Sequence, residues 1–235
     1  MGVSFKYSKK VAKTGTRLLI GLLVIDTTWS LVRFIIFNTV FGGTAPNDFV
    51  VIDSIITNLL FTSFLGVLAS GMLMLGIYYS KISKWGLIAS ILLVGEFGIK
   101  VAFIFFRFTQ LIGSFYEDYM FTTFNIFELA TSTLLISSFI LYDVFQRQLK
   151  SRAEIGYGKS PFPYIFGLFA IIYPITNILY IAGIDVTQIV KLFAIIRTIA
   201  YIATILEILV YFDLMRRFDY MQKIPDDQLP KNVKN

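Results

Sequence analysis

The chain has 235 residues, of which 56% are hydrophobic and 15% charged, and its formal net charge is +6. Soluble domains carry roughly a quarter charged residues, so this composition excludes a single water-soluble core. The sequence contains no cysteine and no histidine, which excludes Cys- or His-ligated zinc and haem, thiol redox chemistry and Ser-His-Asp catalysis. Because only carboxylate, lysine and tyrosine side chains remain for acid–base chemistry, we expect neither an enzyme nor a bound cofactor or metal.

Long apolar stretches predict that the chain crosses a membrane six times. A bilayer core about 30 Å thick requires roughly 20 mainly apolar residues per helix, and lipid offers no partner for an unpaired backbone N–H or C=O group. The predicted spans are 18–41, 50–79, 86–111, 120–145, 162–182 and 188–214. The predicted fold class is therefore an all-α integral membrane protein, a bundle of six transmembrane helices.

The distribution of lysine and arginine predicts the orientation of the chain. Basic residues are concentrated before the first span, after the second, after the fourth and after the sixth, whereas the other three links contain none. Because cytoplasmic segments carry the excess of Lys and Arg, both termini are predicted to be cytoplasmic, with three outer hairpins. The predicted parts are a basic cytoplasmic N-terminus, a six-helix transmembrane domain and a polar cytoplasmic tail, over 1–17, 18–214 and 215–235.

Two pairs of residues at the ends of predicted spans raise the question of an internal repeat. Asp143 precedes Arg147, and Asp213 precedes Arg217, by one helical turn, a spacing that supports a helix end. A threefold array of helical hairpins would produce this similarity, but so would the common way in which inward-running helices end. The sequence leaves both interpretations open.

Ionisable residues inside the predicted spans are the candidate functional residues. A charge at the middle of a bilayer is costly, so it faces a bundle interior or a wet cavity. In the third span, Glu96, Lys100 and Arg107 have the spacing of one helical stripe. In the fifth span, a polar stripe that includes Tyr173 and Asn177 lies beside a proline.

One interpretation of these charges is a polar cavity that opens to the outside. Arg33, Lys100 and Arg197 are predicted to lie in the outer half of the membrane, where they require a partner or a ligand. The predicted binding residues for an anionic or zwitterionic solute are Arg33, Lys100, Arg197, Glu128, Asn177 and Tyr173. The predicted coupling residues are Asp26, Glu96 and Glu207, because a carboxyl group in a low-dielectric interior can exchange a proton or bind a cation.

The other interpretation is internal pairing of Glu96 with Lys100, of Asp26 with Arg33 or a neighbouring residue, and of Glu128 with Arg197. Buried pairs fix helix register without contributing net stability, and the protein would then be a non-catalytic subunit or assembly factor of a larger membrane complex. Handling of lipid headgroups is a third option. The predicted function is a small transporter or channel of the cell membrane. The expected partners are the lipid bilayer, a small solute or ion, and a second copy or another membrane subunit, without nucleic acid.

Overall fold

The computed structural model describes residues 4–40, 47–112, 117–172, 182 and 190–223. Within these ranges every regular element is a helix, so the predicted all-α fold class is confirmed for the described part. The helices, in chain order, are α1 (Phe5–Val40), α2 (Asn47–Tyr78), α3 (Trp85–Ile112), α4 (Glu117–Ala153), α5 (Phe162–Ala170) and α6 (Val190–Tyr220).

Within the described residues, three helices are long and apolar enough to cross a membrane. The qualifying stretches are Ile52–Tyr78 of α2, Trp85–Phe108 of α3 and Ile126–Ala153 of α4. Length and composition therefore support a membrane protein and three of the six predicted spans. Helices α1 and α6 are 36 and 31 residues long, but parts of both lie outside the residues whose side chains the structure describes, so the first and sixth predicted spans stay predictions. The fifth predicted span lies partly outside the described residues.

The described helices pack in a closed circuit. Helix α1 packs on α2, α2 on α3 and α3 on α4, while α5 packs on both α4 and α6. Helix α6 then returns to α1. Because the last helix contacts the first, the bundle encloses a central space, and side chains on the inner faces of five helices line a common cavity.

One end of the bundle brings the start of α1 next to the end of α6. The ammonium group of Lys9 donates to the backbone oxygens of Asp219 at 3.0 Å and Met221 at 2.8 Å. At the same end, Arg152 donates to the backbone oxygen of Ile82 at 2.7 Å, which joins the end of α4 to the turn between α2 and α3. We call this end the terminal face; it comprises residues 5–17, 79–84, 146–161 and 213–223.

Two glycines allow α1 and α2 to approach with their backbones in contact. A Cβ atom added to Gly71 would lie under 3.0 Å from the backbone of Ala12, and one added to Gly15 would lie equally close to the backbone of Leu68. Both contacts are with main-chain atoms of the facing helix, which cannot rotate away as the end of a side chain can. Small residues at helix interfaces are typical of membrane proteins because they permit such close packing.

We predict that Gly71→Ala destabilises the protein, since the added methyl group must push α1 away from α2. Overpacking of this kind costs about 1–3 kcal/mol, which should appear as a lower unfolding midpoint in detergent micelles. The matched control is Gly98→Ala, because a Cβ atom at Gly98 meets nothing within 4 Å. Removing a helical glycine there should leave stability unchanged or raise it by roughly 0.5–1 kcal/mol. Equal stability of the two variants would contradict the close α1–α2 packing.

Candidate functional site

A cavity of about 450 Å³ lies between α2, α3, α4, α5 and α6. Its charged lining residues are Glu96, Lys100, Glu128 and Glu207, and five neutral polar side chains complete the polar lining: Ser54, Asn58, Thr131, Ser132 and Thr204. At 1.5 Å per residue, Glu96 lies roughly 17 Å and Lys100 roughly 22 Å along α3 from its start at the terminal face. The ionic groups are therefore far from both ends of an apolar helix.

Helical spacing explains why these side chains share one cavity. On α3, Glu96 and Lys100 are four residues apart and so lie on one face. On α4, Glu128, Thr131 and Ser132 follow the i, i+3, i+4 pattern, and the lining residues of α2 and α6 have similar spacings. Helices α2, α3, α4 and α6 thus each turn polar side chains inward, whereas α5 contributes Phe166 and Ala170. Inward-facing polar groups are the arrangement expected in a membrane bundle.

Glu96 is the most buried charged side chain in the described lining. Its side chain is 1% exposed, and neither carboxylate oxygen has a hydrogen-bond partner among the described residues. The Lys100 ammonium lies 3.9 Å from Glu96 Oε1, which is an ion pair longer than a hydrogen bond. The same ammonium lies 4.6 Å from the ring centroid of Phe61 on α2. Glu207 of α6 interacts electrostatically with both Lys100 and Glu96.

Glu128 has a cationic neighbour on α3. It interacts electrostatically with Arg107, whose guanidinium carbon lies 5.2 Å from the ring centroid of Phe103. The predicted pairing of Glu128 with Arg197 stays a prediction, because the Arg197 side chain lies outside the described part of the structure.

Arg33 and Asp26 belong to a different ionic cluster, between α1 and α2. Arg33 pairs with Asp53 of α2 and also donates to the hydroxyl of Ser30 at 2.9 Å. The indole N–H of Trp29 donates to the other Asp53 oxygen at 2.8 Å, and Asp26 interacts electrostatically with both Arg33 and Asp53. The predicted proximity of Asp26 and Arg33 is present, but the ion pair of Arg33 is with Asp53. Neither Arg33 nor Asp26 is among the lining residues of the central cavity.

The nine residues predicted for the site are therefore divided by the structure. The cavity brings together four of them, Lys100, Glu128, Glu96 and Glu207, and the α1–α2 cluster holds Arg33 and Asp26. Tyr173 and Asn177 lie outside the described residues, as does the side chain of Arg197.

Comparison with known proteins adds no family: no protein-family model, no curated protein and no solved structure matches this chain.

A buried ionic network joins α4 to α6 towards the terminal face. Asp143 of α4 is fully buried and accepts a hydrogen bond of 2.6 Å from Arg217 of α6. Arg217 also donates to Asp213 at 2.7 Å, and Arg147 pairs with Asp143 at 3.1 Å. The two i,i+4 pairs predicted from the sequence are thus both present. The contact between Asp143 and Arg217, which links the pairs across two helices, has no signal in the spacing of either helix.

The segment after α4 folds back onto this network. The backbone N–H of Ser160 and the hydroxyl of Tyr164 each donate to Asp143 at 3.1 Å. The backbone N–H of Tyr157 donates to the side-chain oxygen of Gln146 at 3.1 Å. These contacts hold residues 154–161 against α4 and thereby fix where α5 starts.

An aromatic layer separates the cavity from the ionic network. The ring of Phe139 lies 6.0 Å from that of Phe166 and 5.4 Å from that of Tyr211, centroid to centroid. Along α6, Glu207 lines the cavity, Tyr211 belongs to the aromatic layer and Arg217 to the ionic network; α4 has the same order. The cavity is therefore closed on the side of the terminal face by two successive layers.

We predict that Arg217→Met strongly destabilises the protein, because Asp143 and Asp213 lose a cation in a buried environment. Removing one partner of a buried ion pair costs about 3–5 kcal/mol, and the unfolding midpoint in detergent reports the loss. Arg216→Met is the matched control, since Arg216 is the exposed neighbour on the same helix. Similar losses in both variants would show that the network does not hold α4 and α6 together.

Proposed function

We propose that this protein is a small transporter or channel that carries a zwitterionic solute through the central cavity. The observation that carries the proposal is a cavity deep between apolar helices that is lined by carboxylates and by the ammonium group of Lys100. A zwitterion finds an opposite charge there for each of its ends. An anionic solute, the other class that the sequence predicts, meets three carboxylates and one ammonium in the described lining, and of these carboxylates Glu128 also has Arg107 as a neighbour.

We assign coupling to protons or cations to Glu96 and Glu207. Both line the cavity, and Glu96 offers two carboxylate oxygens that have no hydrogen-bond partner among the described residues. Carboxylates in such positions mark ion and proton pathways in transporters. Asp26, also predicted to couple, lies with Arg33 and Asp53 between α1 and α2, so a coupling role for Asp26 requires a path separate from the cavity.

The proposal includes six spans in three hairpins, with both termini in the cytoplasm of a cell-membrane protein. The terminal face supports this orientation because exposed basic side chains cover it: Lys6, Lys10, Arg17, Lys81, Lys84, Lys150 and Arg152. Such a surface is typical of the cytoplasmic side. In this orientation the aromatic and ionic layers close the cavity towards the cytoplasm, and solute enters from the outside.

The second candidate function is a non-catalytic subunit or assembly factor of a larger membrane complex. The ion pairs Arg33–Asp53 and Asp143–Arg217 favour it, because they show charges neutralised within the bundle. Both pairs lie outside the cavity lining, whereas inside it Glu96 and Lys100 form an ion pair of 3.9 Å without a hydrogen bond. The two functions differ in whether water reaches the cavity.

We predict that a thiol introduced by Ala203→Cys reacts with a charged, water-soluble thiol reagent when the protein is in a bilayer. Ala203 lines the cavity, and the natural chain contains no cysteine, so no background reaction occurs. The control is Ile205→Cys, two residues along α6, where the side chain is 54% exposed on the outer surface of the bundle and would face lipid. A slow reaction at both positions would indicate that water does not reach the cavity. That result would favour the second candidate function, a non-catalytic subunit or assembly factor.

The orientation has its own test in intact cells with a membrane-impermeant thiol reagent. We predict that Asp118→Cys, in the link between the third and fourth spans, is labelled from outside. Lys84→Cys, on the terminal face, should be labelled only after the membrane is permeabilised. Labelling of Lys84→Cys in intact cells would overturn the proposed orientation.

A further inference from the structure

The carboxylates of Glu96 and Glu207 share one ammonium group. Both interact electrostatically with Lys100 and with each other, and the Lys100 ammonium is 3.9 Å from Glu96 without a hydrogen bond between them. Two negative groups and one positive group leave a net negative charge in a low-dielectric interior when all three are ionised. A second cationic group at this place would favour the ionised form of both carboxylates, and it could donate hydrogen bonds to the open positions of Glu96.

The ring of Phe61 supplies a face for a cation at the same place. The Lys100 ammonium lies 4.6 Å from the ring centroid, within the roughly 6 Å over which a cation is attracted to an aromatic face. Phe61 and Glu96 come from different helices, α2 and α3, and both line the cavity. The lining thus combines an aromatic face with carboxylates, and Lys100 demonstrates that an ammonium group fits between them.

We propose that the cavity binds the ammonium group of a primary amine between Glu96, Glu207 and the face of Phe61, in competition with the ammonium group of Lys100. This inference rests on the proposed function, because it assigns the ammonium end of the zwitterionic solute to a defined position in the cavity. The carboxylate end of the solute then binds Lys100, which turns away from Phe61. We call the position between Glu96, Glu207 and Phe61 the ammonium site.

Three small probes of similar size test the ammonium site by calorimetric titration of the full chain in detergent: propylammonium, β-alanine and propionate. In the unmodified protein, β-alanine should bind most tightly, propylammonium more weakly and propionate most weakly. Lys100→Met should strengthen binding of propylammonium by about tenfold, equivalent to about 1.4 kcal/mol, because the competing ammonium is gone. The same substitution should weaken binding of β-alanine, which loses the partner of its carboxylate.

A second variant keeps the test valid if Lys100→Met does not fold. Phe61→Leu removes the aromatic face without changing charge, so it should weaken both amine-bearing probes several-fold and leave propionate unaffected. Phe64→Leu is the matched control, because Phe64 is on the same helix outside the described lining. Phe61→Tyr, which keeps an aromatic face, should retain binding of propylammonium.

The inference is overturned if propionate binds as tightly as β-alanine, if Lys100→Met fails to strengthen binding of propylammonium, or if none of the probes binds. Its failure is distinguishable from failure of the proposed function. A reactive Ala203→Cys thiol together with absent propylammonium binding retains the hydrated cavity and rejects the ammonium site. An unreactive Ala203→Cys thiol rejects both.

Discussion

The ion pair between Asp143 and Arg217 is the interaction on which the arrangement of the second half of the chain depends. It links α4 to α6 at 2.6 Å in a fully buried position. Asp143 also accepts hydrogen bonds from Ser160, just before α5, and from Tyr164 in the first turn of α5. A buried carboxylate can accept hydrogen bonds from all of these donors in one arrangement of α4, α5 and α6. Because such a group is very costly to leave unpaired, the network specifies how α4, α5 and α6 meet and so helps to close the helix circuit.

The position of this network explains why the polar cavity is confined to one part of the bundle. Next to the network lie the rings of Phe139, Phe166 and Tyr211, which pack edge to face or nearly so. Hydrocarbon and ion pairs together fill the interior towards the terminal face, whereas the stripes around Glu96 and Glu207 meet beyond them without filling the space. Tight packing and an open polar interior thus occur in consecutive turns of the same helices.

The sequence predicts features that depend on spacing within one helix and fails where two helices must be matched. The shared face of Glu96 and Lys100 and the pairs Asp143–Arg147 and Asp213–Arg217 follow from an offset of four residues. In contrast, the partners Asp53 for Arg33 and Arg217 for Asp143 depend on which helix faces meet, and a single sequence contains no signal for that. The all-α fold class and the polar stripes at helical spacing were both predictable from the sequence, because apolar length and helical period are properties of a single helix.

The missing information about helix pairing also changes the chemistry inferred for the cavity. From depth along the spans alone, the outer half of the membrane contains an excess of cations that includes Arg33 and Lys100. This excess favours an anionic or zwitterionic solute. In the structure Arg33 is paired with Asp53 between α1 and α2, so its charge is already compensated outside the cavity. Lys100 instead faces Glu96 and Glu207. For the proposed function, the class of solute therefore depends on which residues share an enclosed space, and carboxylates around a single described ammonium favour a solute with a positively charged group.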